Sequence, residues 1–308
     1  MNDSQAFLAI DIGGSKYMVG LFEADGTIID KDRREWHAYT ETLIEQQLMN
    51  AVDDMLQAHA NLKICSGGIT IPGLADPTLG LWVSTEFMGI KNYPIGPRFE
   101  QRYGIPFSIE NDGRACVLAE RYFGEGVDCD DFLYITVSNG IGGGLFLNGS
   151  LHRGAYGNAG EIGQVVVVEN GRMSDDGTAG TLEMYASTAG LIQNYLESGG
   201  SQSAVVQPIN GRNIAELARA GDRAAKEAFR LEGYYLGKAI AAVHNVLDLE
   251  KVILGGGLSL AFDLYRQPLI ETVRKQTYKR SYETPEIVAT PLGYDGALYG
   301  AAALAIYR

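Results

Sequence analysis

The sequence predicts an α/β fold assembled from two similar halves, and three observations carry that prediction. A glycine-punctuated hairpin occurs twice, strand-like and helix-like segments alternate, and 308 residues exceed one average domain. The first hairpin reads Phe7-Leu8-x-Ile10-Asp11-Ile12-Gly13-Gly14, then Gly20-Leu21-Phe22, then the turn Asp25-Gly26. The second reads Phe132-Leu133-x-Ile135-Thr136-Val137, then the glycine-rich 140–144, then Leu145-Phe146 and the turn Asn148-Gly149. In each, a strand of alternating apolar residues enters a glycine turn, returns, and closes on a pair suited to a hairpin. Glycine lets backbone N–H groups approach a phosphate and permits positive φ. One such turn is equally well a plain tight hairpin. Two together suggest a nucleotide held between two lobes.

The remaining elements follow in order. Residues 40–60 place Leu43, Leu48, Val52, Met55 and Leu56 on one approximate face behind an acidic start, an amphipathic helix. A buried strand at 64–71 ends in Pro72-Gly73, a turn signal. Residues 75–102 read as an irregular segment rich in Gly, Pro and aromatics. A strand at 106–110 meets Asn111-Asp112-Gly113, which begins a helix reaching about Phe123. Beyond the second hairpin come a polar excursion at 170–180 and a helix at 182–197. A helical stretch at 213–247 breaks near Asp222, a strand at 251–257 enters another glycine turn, and an Ala-rich helix closes the chain at 295–307. The expected division is 1–122, closed by the C-terminal helix 295–308, and 123–294.

Composition narrows the function. An apolar fraction of 46% and a charged fraction of 20% are those of an ordinary globular protein. The net charge of −13, with no compensating Lys/Arg run, argues against nucleic acid as a partner. Cys65, Cys116 and Cys129 form no CxxC pair, so neither a disulfide framework nor a zinc ribbon is indicated. The short polar start lacks a basic segment or cleavage site, and no apolar run approaches membrane-spanning length. A cytoplasmic protein without a membrane partner is expected.

Several residues can carry chemistry. Asp11 lies in Asp11-Ile-Gly-Gly-Ser-Lys16, where the acid can hold hydrated Mg²⁺ and Lys16 can neutralise phosphate; a capped turn with a solvated lysine is the plainer use. Asp112, at a strand-to-helix junction, can accept a proton from a hydroxyl nucleophile while Asn111 bonds neighbouring hydroxyls; either can equally serve as an N-cap. Glu161, in Gly160-Glu161-Ile162-Gly163-Gln164, and Glu183 can accept hydrogen bonds from a polyol or stand as exposed charges. His152 and His244 have no partner at metal-ligand spacing.

In order and spacing, these pieces resemble the ROK family of sugar kinases and sugar-responsive repressors over nearly the whole chain. The matching segments are Asp11-Ile-Gly-Gly-Ser-Lys16, Pro72-Gly73, Glu110-Asn-Asp-Gly-Arg-Ala115, Gly140-Ile-Gly-Gly-Gly144, Gly160-Glu-Ile-Gly163, Leu182-Glu183 and Leu254-Gly-Gly-Gly257. The resemblance implies an actin-like (ribonuclease H-like), duplicated two-lobed ATPase fold with sugar in the cleft. It implies Asp112 as general base, with Gly73, Asn111, Glu161, Gln164 and Glu183 on the sugar. It implies Gly13, Gly14, Lys16, Gly140 and Gly142 on the phosphates of ATP, Gly255, Gly256 and Gly257 near the adenosine, and Asp11 on Mg²⁺ through water. Homodimers are common among such relatives.

Two departures accompany the resemblance. Many family members hold zinc with a His and the cysteines of CxCGxxGCxE; here Gln164 stands at the His position and the frame reads Ser174-Asp-Asp176-Gly-Thr-Ala-Gly-Thr181-Leu-Glu183. Amide, hydroxyl and one carboxylate are poor zinc ligands. No zinc is expected, and hydrogen bonds should order the loop instead. Ser138-Asn139 also replaces a common Gly-Thr pair. The expected activity is phosphorylation of a hexose or N-acetylhexosamine, with glucose, N-acetylmannosamine, N-acetylglucosamine, fructose and β-glucosides as candidates and a lean toward an amino or modified sugar. A sugar-binding regulator and an inactive sensor are the rival readings. Family repressors carry a DNA-binding extension; with the first phosphate motif at Phe7, none is expected here.

Overall fold

β1 (Gln5–Ile12) alternates its side chains, burying Leu8, Ile10 and Ile12 in one core and Ala9 in another. The computed structural model describes residues 5–37, 40–201, 208–279 and 283–307. After β1 come β2 (Lys16–Phe22), β3 (Ile28–Glu35), α1 (Glu41–Ala58) and β4 (Lys63–Ile71). The chain continues through β5 (Leu74–Asp76), β6 (Leu81–Thr85), β7 (Ile90–Tyr93), α2 (Ile95–Tyr103), β8 (Phe107–Asn111) and α3 (Asp112–Phe123). The second half holds β9 (Phe132–Val137), β10 (Ile141–Leu147), β11 (Ser150–His152), α4 (Glu183–Ala186), α5 (Thr188–Glu197), α6 (Gly211–Arg219) and α7 (Arg223–Leu247). It ends with β12 (Lys251–Gly255), α8 (Phe262–Gln276), β13 (Glu286–Ala289) and α9 (Gly296–Ile306).

The sequence echo is an echo of topology. One sheet has the order β3-β2-β1-β4-β8 and the other β11-β10-β9-β12-β13. In both, the first three strands in sequence pair antiparallel and the next two join parallel. Even the aromatic pair repeats: Phe7 lies opposite Phe22 and Phe132 opposite Phe146. Chain contacts divide the molecule into two units. The first runs to Val127 and takes in Gly154–Gly157 and the end of the chain from Asp295; the second comprises Asp128–Arg153 and Asn158–Tyr294. The first unit thus runs past the boundary expected at residue 122. Phe123 packs on Tyr299 and Tyr307 of its own unit, and Arg121 donates to the carbonyls of Gly126 and Val127.

The Ala-rich composition of α9 has a steric cause. A Cβ on Gly68 of β4 would stand 1.9 Å from the Ala301 carbonyl oxygen, and one on Gly300 2.6 Å from the Ala115 backbone. Only small residues let helix, sheet and α3 approach this closely. In the second unit, α7 and α8 meet at Gly233 and Gly237 in the same way.

Three expectations about elements need correction. Residues 75–102 are not irregular: they form the antiparallel sheet β5-β6-β7 and then α2. Trp82 is its fully buried centre, donating through Nε1 to Pro72 O and Thr85 Oγ1. The 182–197 helix is two helices, because Ser187 leaves helical geometry and caps α5 by accepting from Gly190 N. On α1 the buried face is Ile44, Leu48, Ala51, Val52 and Met55, while Leu43 is exposed. The expected break before α7 is present, with the Asp222 side chain accepting from Ala225 N at 2.7 Å. The polar residues 1–4 lie outside the described residues. No helix among the described residues is long and apolar enough to cross a membrane.

Candidate active site

In the first unit, two acids flank a threonine at the carboxyl ends of three neighbouring parallel strands. Asp11 of β1 is in register with Thr70 of β4, and Thr70 with Glu110 of β8. In open α/β sheets ligands gather at such ends. Thr70 Oγ1 donates to Asp11 Oδ1 at 2.8 Å. Burial pushes the Asp11 carboxyl up to about 6; the Thr70 hydroxyl and Lys16 pull it down, while Asp112 and Asp295 push it further up. Lys16 is shifted below its usual value, first by burial and then by the charge of Arg33, against the pull of Asp11 and Asp295.

Asn111 and Asp112 form a compact turn at the start of α3. Asn111 is the N-cap, its Oδ1 accepting from Arg114 N at 3.2 Å, so the capping use is real. Its Nδ2 donates to Gly73 O at 3.0 Å and to Asp112 Oδ1 at 2.9 Å, and Gly113 N donates to the same oxygen at 2.8 Å. The half-buried Asp112 carboxylate is thereby oriented by two donors. Beneath it, the buried Glu110 takes Arg114 Nε and the Asn111 N–H on one oxygen, and Arg114 Nη1 donates to Gly157 O at 2.6 Å. Gly73 meets Asn111 through its carbonyl; its φ of +85° and a Cβ position 2.3 Å from Ser84 O explain why it is glycine.

In the glycine turns, most glycines lack room for a Cβ rather than needing left-handed backbone. Of Gly13, Gly14, Gly140, Gly142, Gly255, Gly256 and Gly257, only Gly256 has positive φ. A Cβ on Gly13 would lie 3.1 Å from Lys16 O, on Gly140 2.7 Å from Glu183 Oε2, on Gly142 3.3 Å from Thr136 Cγ2, and on Gly255 2.1 Å from Tyr134 Oη. Gly14 faces the exposed Phe87 ring at 3.2 Å.

In the second unit, Glu183 Oε2 accepts from Ile141 N at 2.8 Å, binding the first turn of α4 to the glycine hairpin. Glu161 and Gln164 are exposed, at the two ends of a turn held flat on β10 by Gly160 and Gly163. Gly257 borders a cavity of about 560 Å³ together with Ser138, Asn139, Thr188 and Tyr294. The sequence reading missed Thr188, whose N–H and hydroxyl both donate to Ser138 O, and the α6 start at Asn210–Asn213. Asn210 reads only as a cap, which it is. Asn213 Oδ1, on the cavity wall, is buried with no hydrogen-bond partner among the described residues.

The zinc-frame positions Ser174, Asp176 and Thr181 are engaged in contacts within the protein. Ser174 Oγ donates to Asp176 Oδ1 and Thr178 O, and Asp176 also accepts from Thr178 N. Thr181 is buried in a bridge with Val166, whereas Gln164 is exposed. Among the described residues no three His, Cys, Asp or Glu side chains cluster as a metal site.

The model of the ROK family matches residues 7–308. The chain belongs to the ROK family. A glucokinase of Thermotoga maritima is 33% identical to this ROK protein over 96% of each chain. Among solved structures, a ROK family transcriptional regulator homologous to the E. coli MLC protein superposes with a TM-score of 0.91 at 27% identity, over 99% of this chain and 78% of that one. A ROK family glucokinase from Streptomyces griseus, in complex with glucose and AMPPNP, gives 0.83 at 28% identity, over 98% of this chain and 100% of that one. The fold is the actin-like ATPase fold of ROK kinases. Both kinases and regulators stand among the relatives of this ROK chain.

Proposed function

We propose that this ROK protein is an ATP-dependent kinase of a hexose or N-acetylhexosamine hydroxyl, with Asp112 as general base. The observation that carries the reading is the Asn111-Asp112-Gly113 turn, where two hydrogen bonds orient a half-buried carboxylate beside the buried Glu110–Arg114 pair. Similarity to glucokinases supports it. Asp112 takes the proton of the acceptor hydroxyl as its oxygen bonds the γ-phosphorus and the bond to ADP breaks. Lys16 and the N–H groups of the glycine turns balance the phosphate charge. Asn111 is assigned to the acceptor's hydroxyls together with Glu161, Gln164, Glu183 and the carbonyl of Gly73; Gly255 to Gly257 are assigned to the adenosine.

Asp11 fits a hydrated Mg²⁺, because its carboxylate already bears the cost of burial and of Asp112 nearby, which a cation relieves. When bound, that ion would neutralise phosphate charge.

A second reading, a sugar-binding regulator, is favoured by the 0.91 superposition on a transcriptional regulator. ADP release from MgATP, measured over glucose, N-acetylmannosamine, N-acetylglucosamine, fructose and β-glucosides, separates the two. Sugar-dependent turnover that falls by about 10²- to 10⁴-fold in Asp112→Asn is expected for the kinase. Unchanged turnover in that variant removes Asp112 as base, and sugar binding without turnover selects the regulator or an inactive sensor.

A further inference from the structure

The loop that leads to Glu183 is gathered by one side chain, Arg172. Its Nη1 donates to Met184 O at 3.0 Å; its Nη2 donates to Asn194 Oδ1 at 2.8 Å and Glu197 Oε2 at 2.7 Å. The guanidinium stacks 4.5 Å from the Tyr185 ring centroid, and the Arg172 N–H donates to Tyr185 Oη at 2.8 Å. The Arg172 carbonyl in turn accepts from Gly180 N, and Asn194 Nδ2 donates to Tyr185 O. Arg172 thus joins the loop, the Met184-Tyr185 stretch of α4 and the face of α5.

We propose that Arg172 is a positioning residue that performs, without metal, the ordering of the 172–183 loop, and through Met184 sets the carboxylate of Glu183 on the Gly140-Ile141 turn. The planar fork is suited to this task, because it meets a carbonyl, an amide and a carboxylate in fixed directions while its face rests on an aromatic ring. A lysine has the charge without the fork. The donor set at the zinc-frame positions, already engaged in a Ser174-Asp176-Thr178 turn, offers a metal no comparable hold. The loop is therefore indifferent to metal, and Glu183 depends on a residue that lies outside every sugar or nucleotide motif. The link to acceptor binding rests on the kinase reading; the link from Arg172 to the Ile141 amide does not.

The test is amide hydrogen exchange of the protein without sugar or nucleotide, for the parent, Arg172→Met and Arg172→Lys. Loss of protection is expected in Arg172→Met at Gly180, at Leu182 and, remote in sequence, at the Ile141 N–H that Glu183 accepts. Arg172→Lys should lie between, and it carries the test if Arg172→Met does not fold. A strong zinc chelator should leave the parent's exchange unchanged. Unchanged exchange at Ile141 in both variants overturns the proposal, as does loss of loop protection on chelation. Read separately, acceptor KM should rise by about tenfold in Arg172→Lys with kcat nearly constant. Absence of sugar turnover in the parent would remove the kinase reading and leave the exchange result standing.

Discussion

Glu183 Oε2 receives the N–H of Ile141 at 2.8 Å, so the acid assigned to the sugar also buttresses the second glycine turn. Glu183→Gln can still accept that N–H and should keep the fold, whereas Glu183→Ala leaves a backbone donor unpaired. A loss of about 1–3 kcal/mol is expected for the alanine variant by urea denaturation, and less than half of that for glutamine. Equal destabilisation by both would show that charge, and not the hydrogen bond, holds the turn.

Asp11 links stability to pH. Its folded carboxyl titrates at about 6 against an ordinary 3.8. Above about 6 the buried charge is a cost, and as pH falls from there toward 3.8 the folded protein takes up a proton that the unfolded chain does not bind, which relieves it. Asp11→Asn should therefore be more stable than the parent by ~1–3 kcal/mol at alkaline pH, with the gain vanishing at acid pH. Thermal denaturation across that range reads it. Sugar-dependent turnover should fall in the same variant, a gain in stability joined to a loss of function.

The elements that the sequence made legible are those with strong periodicity or a turn of special chemistry. β1 and β9 are short apolar runs that lead into glycine-rich turns, and Asp222 stands where a helix must be capped. β3 was not legible, because Ile28–Glu35 is an edge strand whose charged side chains face away from any core. β5, β6 and β7 are short and are anchored by Trp82, Ile90 and Tyr93, too few and too scattered to show a strand period in the sequence. In the site, Asn111 and Asp112 were readable at a strand-to-helix junction. Arg172 was not, since one arginine in a polar stretch gives no sign of the helices that it joins.

Gly255 and Gly257 stand close in one motif yet should respond oppositely to alanine. A Cβ on Gly255 would fall 2.1 Å from Tyr134 Oη, inside the fold. A Cβ on Gly257 would find nothing nearer than 3.9 Å and would project toward the cavity shared with Ser138 and Tyr294. Gly255→Ala should cost about 1–3 kcal/mol of stability. Gly257→Ala should keep the parent's thermal midpoint and weaken ATP by about tenfold in titration calorimetry. Normal ATP affinity in Gly257→Ala would take the adenosine away from that cavity.

Glu232 is a fully buried acid that the proposed chemistry does not use. It lies on α7 with no exposed surface, and neither carboxylate oxygen has a hydrogen-bond partner among the described residues. Burial holds its carboxyl well above the ordinary 4.5, and the effect reaches Tyr265, raised first by its own burial and then by the charge of Glu232. An acid so placed favours the folded state least when it must ionise. Stability should fall as pH rises from 4.5 through the raised value, because over that interval the folded protein keeps a proton that the unfolded chain gives up. Glu232→Met fills similar volume without a charge to desolvate, so it should stabilise the protein by ~1–3 kcal/mol above neutrality and have little effect at acid pH. Urea denaturation at two pH values decides it. A Glu232→Met protein less stable than the parent at both would mean that the carboxyl has a partner in solution.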